Sequence, residues 1–415
     1  MRGFLRIVPP PGSKSWKWRI EELGGDPGGL VGIVDRPVAV PYEYEDPGAH
    51  EILVQLTGPE GTRVVKEWVV VDDPTGYQVI VSRPIEEILG NGSPEGIAVN
   101  PDGFSIYVSD FRDGEIAQLD SRTFATLKTV NVTPSAEGLD ITPSGSRLLV
   151  AHKNGHVTVL RLPELVIETE LDKMAGFFIE ALDESTFLSA GQIPLVIVDW
   201  MDGRTLAQTD RDAWHFAVSS DGARAAALEL PDFAGPGRPN TRPPSLWIHA
   251  LPSLSVIEHI VFDELFDADQ IAWDPDGLHL YVLGENLERE SQMLIVDSAT
   301  GAITSSFGVE VPVCGWCVAN PVTSFGNGRY IAFERWSSVL VVDTEIDRPR
   351  YLFGGSPIHG FQPAGVAATE GSYELYVLGG PDRSVYRLHF VEPAVDLSLS
   401  MVPTVVPALA GAPWR

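Results

Sequence analysis

Five polar residues stand at or near the beginnings of short apolar runs: Glu95, Glu137, His215, Asp269 and Gln270. Two carboxylates and an imidazole brought to one point can hold a cation or pass a proton as acid and base. If the chain is catalytic, Glu95, Glu137 and His215 are the set to expect, with Asp269 and Gln270 as binding groups beside them. Their spacing alone does not force them together. A fold must do that.

Other residues offer chemistry and are better read as structure. Cys314 and Cys317 have a C-x-x-C spacing, but no second pair completes a zinc site. Positions three apart in an extended strand point to opposite faces, so Cys314 to Val318 reads as a strand with buried thiols. His152 and His156 would share a face on a helix, yet Asn154-Gly155 between them reads as a hairpin turn. Asp274-Pro275-Asp276-Gly277 faintly resembles a calcium loop, but Pro-Asp-Gly recurs elsewhere as a turn. Gly24 to Gly29 lacks the helix and lysine that a phosphate loop needs, and no Gly-x-Ser-x-Gly elbow occurs. No metal or cofactor is expected.

The elements that must position these groups form a repeat. Pro94-Glu95-Gly96-Ile97-Ala98-Val99 runs into Asn100-Pro101-Asp102-Gly103 and then into Ser105 to Val108. Ala136-Glu137-Gly138-Leu139-Asp140-Ile141 opens the next copy, 42 residues from Glu95 to Glu137. Further copies open near Trp214 and Gln270, and weaker ones near Gly176, Cys314 and Ala364. In each, Pro fixes φ and Gly supplies a positive φ for the hairpin; third and fourth strands follow, as at Glu115–Asp120 and Thr126 to Val130. One such sheet cannot bury both faces alone, whereas sheets stacked around an axis can. The reading is an all-β, seven-bladed β-propeller over residues 75–390. Six or eight blades remain compatible, because the copy near Gly176 lacks the Pro-Asp-Gly turn. The last copy ends near Phe390 after three strands, and Pro84 to Leu89 is expected to supply its fourth. In a propeller the five polar residues would line the channel mouth, where polar groups also serve merely to wet the channel.

Residues 1–74 lie outside the repeat. Alternating runs at Trp16 to Glu22, Pro37 to Tyr44, His50 to Leu56 and Arg63 to Val71 read as a small immunoglobulin-like β-sandwich. Asp72 to Gly76 would be its hinge, and 391–415 a tail. Tyr42 to Gly58 resembles the tyrosine, Pro-Gly turn and last strands of PKD-type domains, and Trp18 to Asp26 loosely echoes that family's signature. The propeller resembles the YVTN family, through Tyr107-Val108-Ser109-Asp110 and Tyr281-Val282-Leu283-Gly284. The combination implies a prokaryotic surface-layer or cell-surface protein, and immunoglobulin-like domains are also common on phage capsids and tails. The resemblance further implies a possible lactonase-type activity at the channel mouth.

Composition narrows the partners. With 57 acidic and 29 basic residues the formal charge is −28, which repels phosphate backbones and anionic lipid. Apolar residues make up 44%, enough for a large core, and no apolar run is long enough for a signal sequence or a membrane helix. Nucleic acid and membrane insertion are therefore not expected. Recognition is expected on the long stretch 231–244, through Phe233, Arg238 and Arg242, on an extension from Gly284 to Gln292, and at Trp414 in the tail. The expectation is a non-enzymatic binding or structural protein on a virion or extracellular surface, or alternatively in the cytoplasm. Its sandwich would dock to a protein scaffold and its propeller would present a face to a glycan or protein.

Overall fold

The repeats fold into seven four-stranded antiparallel sheets. The structure, a computed structural model, describes residues 2–7, 16–22, 30–34, 38–43, 48–58, 61–71, 77–89, 92–191, 193–229, 242–288, 290–309, 322–335, 338–345, 348–354, 365–369, 371–379 and 384–390. Up to residue 81 the description is of backbone alone. Blade 1 shows the plan: Pro94–Val99, Ser105–Asp110, Glu115–Asp120 and Thr126–Asn131 pair in that order. Its first turn closes with Gly103 N–H donating to Asn100 O at 2.8 Å, and Gly103 has φ 72°. Asp102 caps the turn by accepting from Phe104 N–H at 2.8 Å. The Asp274 turn is built the same way, with Gly277 N–H on Asp274 O at 3.1 Å and Leu278 N–H on Asp274 Oδ1 at 2.7 Å. Its carboxylate is thus occupied by the turn.

The first strand of every blade is innermost: Pro94–Val99, Ala136–Ile141, Phe178–Ala181, His215–Val218, Leu265–Trp273, Thr323–Phe325 and Gly365–Ala368. The second and third strands carry the core between blades. Tyr376, Leu378 and Val385 of blade 7, for example, pack on Ile97, Ile106 and Val108 of blade 1. The fourth strands are largely exposed. Polar ties also join blades. Arg224 of blade 4 donates to Gly277 O (2.7 Å) and Ser298 Oγ (3.1 Å) of blade 5, with its guanidinium 4.6 Å from the Trp273 ring.

The ring closes through its termini. Tyr77–Pro84 pairs with Ser384–Phe390 as the fourth strand of blade 7, from Ser384↔Pro84 to Phe390↔Tyr77. This corrects the expected Pro84 to Leu89 strand: Glu86–Leu89 is a single helical turn, with Ile85, Ile88 and Leu89 buried under blades 7 and 1. The β-branched run Val79-Ile80-Val81 is the better strand former. A second correction concerns blade 5. Gly284 to Gln292 is not wholly a loop, because the strand His279–Asn286 runs into it and pairs with the strand that starts at Ser291, with Gly284↔Gln292 and Glu285↔Ser291. Blade 6 starts at Thr323, and Cys314 and Cys317 lie outside the described residues.

Before Tyr77 the backbone forms the pair Arg2–Ile7 with Val38–Glu43, and a sheet in the order Leu30–Val34, Trp16–Glu22, Gly48–Gly58, Gly61–Val71. The strands at Arg2 and Leu30 are additional to those expected from alternation. The Asp72 to Gly76 hinge falls outside the described residues.

Candidate functional site

Two groups of ionisable residues lie along the propeller axis. The first is at the mouth where the innermost strands begin. Gly96 and Gly138 let these strands crowd together: a Cβ on Gly96 would sit 2.5 Å from Glu137 O, and one on Gly138 would sit 2.4 Å from Phe177 O of the next blade. Crowding places Glu95 and Glu137 side by side. Burial pushes the Glu95 carboxyl up, against the pull of the Lys153 ammonium. Burial pushes Glu137 up to about 7; Lys153 opposes this and the Glu95 charge adds to it. Glu137 is 6% exposed, and its Oε2 has no hydrogen-bond partner among the described residues.

Lys153, which the sequence reading did not single out, comes from the turn between the second and third strands of blade 2. Its backbone N–H donates to Ser135 O at 2.9 Å. The ammonium lies 5.7 Å from the Phe111 ring and 5.9 Å from the Phe177 ring, and Phe177 meets Trp214 edge-on at 6.5 Å. Cation–π attraction on two sides fixes the ammonium beside the carboxyls. Lys153→Met is expected to raise the apparent pKa of Glu137 above about 7, read by carbon-13 NMR titration; an unchanged midpoint would show that the ammonium does not act on it.

The remaining sequence candidates make other contacts. His215 is buried, its ring edge-on to Phe178 at 5.1 Å on the channel wall; the cation that acts on both glutamates is Lys153. Asp269 sits at the register shift between Ala268↔Gly284 and Gln270↔Leu283, a bulge, and Gln270 is buried beside it. Arg242 is exposed, 3.9 Å from Glu229, which also accepts from Trp247 Nε1 at 3.0 Å. Phe233, Arg238 and Trp414 lie outside the described residues. His152 and His156 flank a turn and part company: His152 Nε2 meets Thr158 Oγ1 at 2.9 Å, and His156 Nδ1 meets Asp172 at 2.7 Å. Among the described residues no group of three His, Cys, Asp or Glu is placed to hold a metal ion, and no helix is long and apolar enough to cross a membrane.

The second group lies inside the channel, a cavity of about 820 Å³ walled by the innermost strands of all seven blades. At the position paired with Leu149 in blade 2 and Leu188 in blade 3 stand Asp140 and Glu180. The same register position holds Ala98, Ala217, Ala272, Ser324 and Ala367 in the other blades. Asp140 Oδ2 accepts from Ala181 N–H of the next blade at 2.6 Å. Both side chains are half-buried, with part of their surface open to the channel. Burial pushes Asp140 up to about 6 against the Ala181 and Ile141 N–H groups. Burial pushes Glu180 up to about 8; the Asp140 charge adds to this and the Val218 N–H opposes it. The sequence signal was available: a carboxylate in the middle of an apolar strand, Leu139-Asp140-Ile141 and Ile179-Glu180-Ala181.

No family model matches the chain and no curated protein does. Among solved structures it is similar to hydrazine synthase of Kuenenia stuttgartiensis, at 16% identity and a TM-score of 0.58. The match covers 73% of this chain and 96% of that one. What the two share is the propeller. At this identity the likeness is one of fold, and the residues of the mouth and channel must be read on their own chemistry.

Proposed function

We propose that the chain is a non-enzymatic binding and structural protein of a virion or extracellular surface. In this reading residues 1–74 form a PKD-like, immunoglobulin-like sandwich that docks to a protein scaffold, and the YVTN-like propeller presents a recognition face. The observation that carries the binding role is the mouth cluster, in which Glu95, Glu137 and Lys153 stand beside Phe111, Phe177 and Trp214. Carboxyls accept from hydroxyls, an ammonium donates to them, and aromatic rings stack on their C–H faces. A further cation is repelled by Lys153 and an anion by the glutamates. A neutral, hydroxyl-rich glycan fits best.

The structural role is supported by the outer strands of blades 1 to 4, which expose Leu127, Val166, Leu206 and Val256. Such apolar positions are suited to burial against a neighbour. Two measurements test the reading. Glycan-array binding by the full chain should fall at least about tenfold in Glu137→Gln and in Lys153→Met, the size of one lost charged contact. Immunolabelling of intact particles or cells with an antibody to the propeller should be positive, and a purely cytosolic signal would sink the surface assignment.

One observation favours a second reading, a lactonase-type hydrolase working at the same mouth. A carboxyl brought to about 7 is poised to exchange protons at neutral pH. Lactone hydrolysis that falls about 100-fold in Glu137→Gln would establish this reading over the first.

A further inference from the structure

The channel cavity is separate from the mouth cluster and has chemistry of its own. Its volume of about 820 Å³ falls within the range of small-molecule sites. About half of its lining is polar, and the apolar part comes from partly exposed residues such as Val99, Leu182, Val218 and Ala368, since Ile271, Trp273 and Val366 are buried between the blades. Two neighbouring blades alone place carboxyls at a height where the other five have Ala or Ser. Among the described lining residues there is no Lys or Arg to neutralise them. The other titratable groups of the lining are His215 on the wall and Asp183 and Asp274 in the turns at the rim. We propose that this cavity binds a small organic monocation, a protonated amine carried on an apolar or aromatic body, with Asp140 and Glu180 as its counter-ions.

Charge decides between ligand classes. An anion would meet four carboxyls and no cation among the described lining residues. A neutral apolar guest would leave a carboxylate facing it without compensation, which is costly in a protein-walled channel. A monocation offsets the charge of the pair and can rest its body on the apolar half of the lining. No Lys or Arg stands at the position equivalent to the carboxyls in the other blades, where Ala or Ser is found. The strongly acidic chain adds a general attraction for cations.

The probe is tryptamine, titrated calorimetrically into the full chain, with N-acetyltryptamine as the uncharged control. Tryptamine is expected to bind at least about tenfold more tightly than the control, the factor that one charge contact commands. Because a bound cation favours ionised carboxyls, affinity is expected to rise about tenfold or more from pH 5 to pH 8. Asp140→Asn with Glu180→Gln should remove both effects, while Lys153→Met at the mouth should leave them. Equal binding of the two probes, a flat pH profile, an unaffected double variant or no binding of tryptamine would each overturn the proposal. The probe comparison and the pH profile use the unaltered chain, so they decide the matter even if the double variant misfolds. Loss of glycan binding at the mouth would leave this result standing, and the reverse holds too.

Discussion

Gly138→Val is expected to lower the stability of the propeller by about 3 kcal/mol, near the top of the range for overpacking. The reason is a contact between backbones. A Cβ at residue 138 would lie 2.4 Å from Phe177 O, and a carbonyl in the adjoining innermost strand cannot rotate away as a side chain can. Relief requires blades 2 and 3 to separate near the axis, where every blade is wedged between two others. Gly308→Ala is the matched control, since nothing lies within 4 Å of a Cβ there and the backbone is not left-handed. Chemical denaturation should find Gly308→Ala close to the unaltered chain and Gly138→Val far below it. A difference under about 0.5 kcal/mol, the usual scatter for harmless substitutions, would mean that the innermost strands do not pack as closely as described. The substitution should also disturb the mouth, because the same close approach brings Glu137 beside Glu95.

Gly138 also shows how far the fold could be read from residues. The repeated Glu-Gly at Glu95-Gly96 and Glu137-Gly138 marks where neighbouring strands touch, and the Pro-Asp-Gly turns mark where each strand reverses. Local turn chemistry and strand alternation carry that information, so the blades were legible. The closing strand was placed one element too late. Ile85, Ile88 and Leu89 look like strand residues because they are apolar, but they are buried as a helical turn beneath blades 7 and 1. The β-branched run Val79-Ile80-Val81 is the local hint of the true strand, and its pairing with residues about 300 positions away fixes it.

The candidate site was less legible for a related reason. Glu95 and Glu137 stood out because they begin their strands, but Lys153 comes from a different hairpin and enters through its contacts with Phe111 and Phe177. Innermost strands are covered on both faces, so period-two alternation does not say which residues look into the channel. Alternation therefore does not single out Asp140 and Glu180. His215 shares the strand-start position of Glu95 and Glu137, and its buried ring meets Phe178 edge-on.

Glu180→Gln is expected to stabilise the propeller in alkaline solution, and the sign follows from where the proton goes. Burial holds the folded-state carboxyl near about 8, above its ordinary value of 4.5; Asp140 likewise stands near about 6 against 3.8. The folded chain therefore binds more protons than the unfolded chain between about pH 4 and pH 8, and its stability falls as pH rises through that window. Below about pH 4 the contribution of the pair is fully present; above about pH 8 it is gone. A glutamine keeps the shape and never ionises. At pH 9 the variant should be more stable by on the order of 3 kcal/mol, a figure that discounts the shift for the opening of the channel to solvent. At pH 4.5 the two chains should unfold together, because the native carboxyl is then neutral in the folded state. Thermal melts across that range measure the difference directly. A gap that stays constant with pH would show that Glu180 acts through shape alone, whereas a gap that opens above about pH 4.5 and levels off near pH 8 identifies a carboxyl kept neutral by the wall around it.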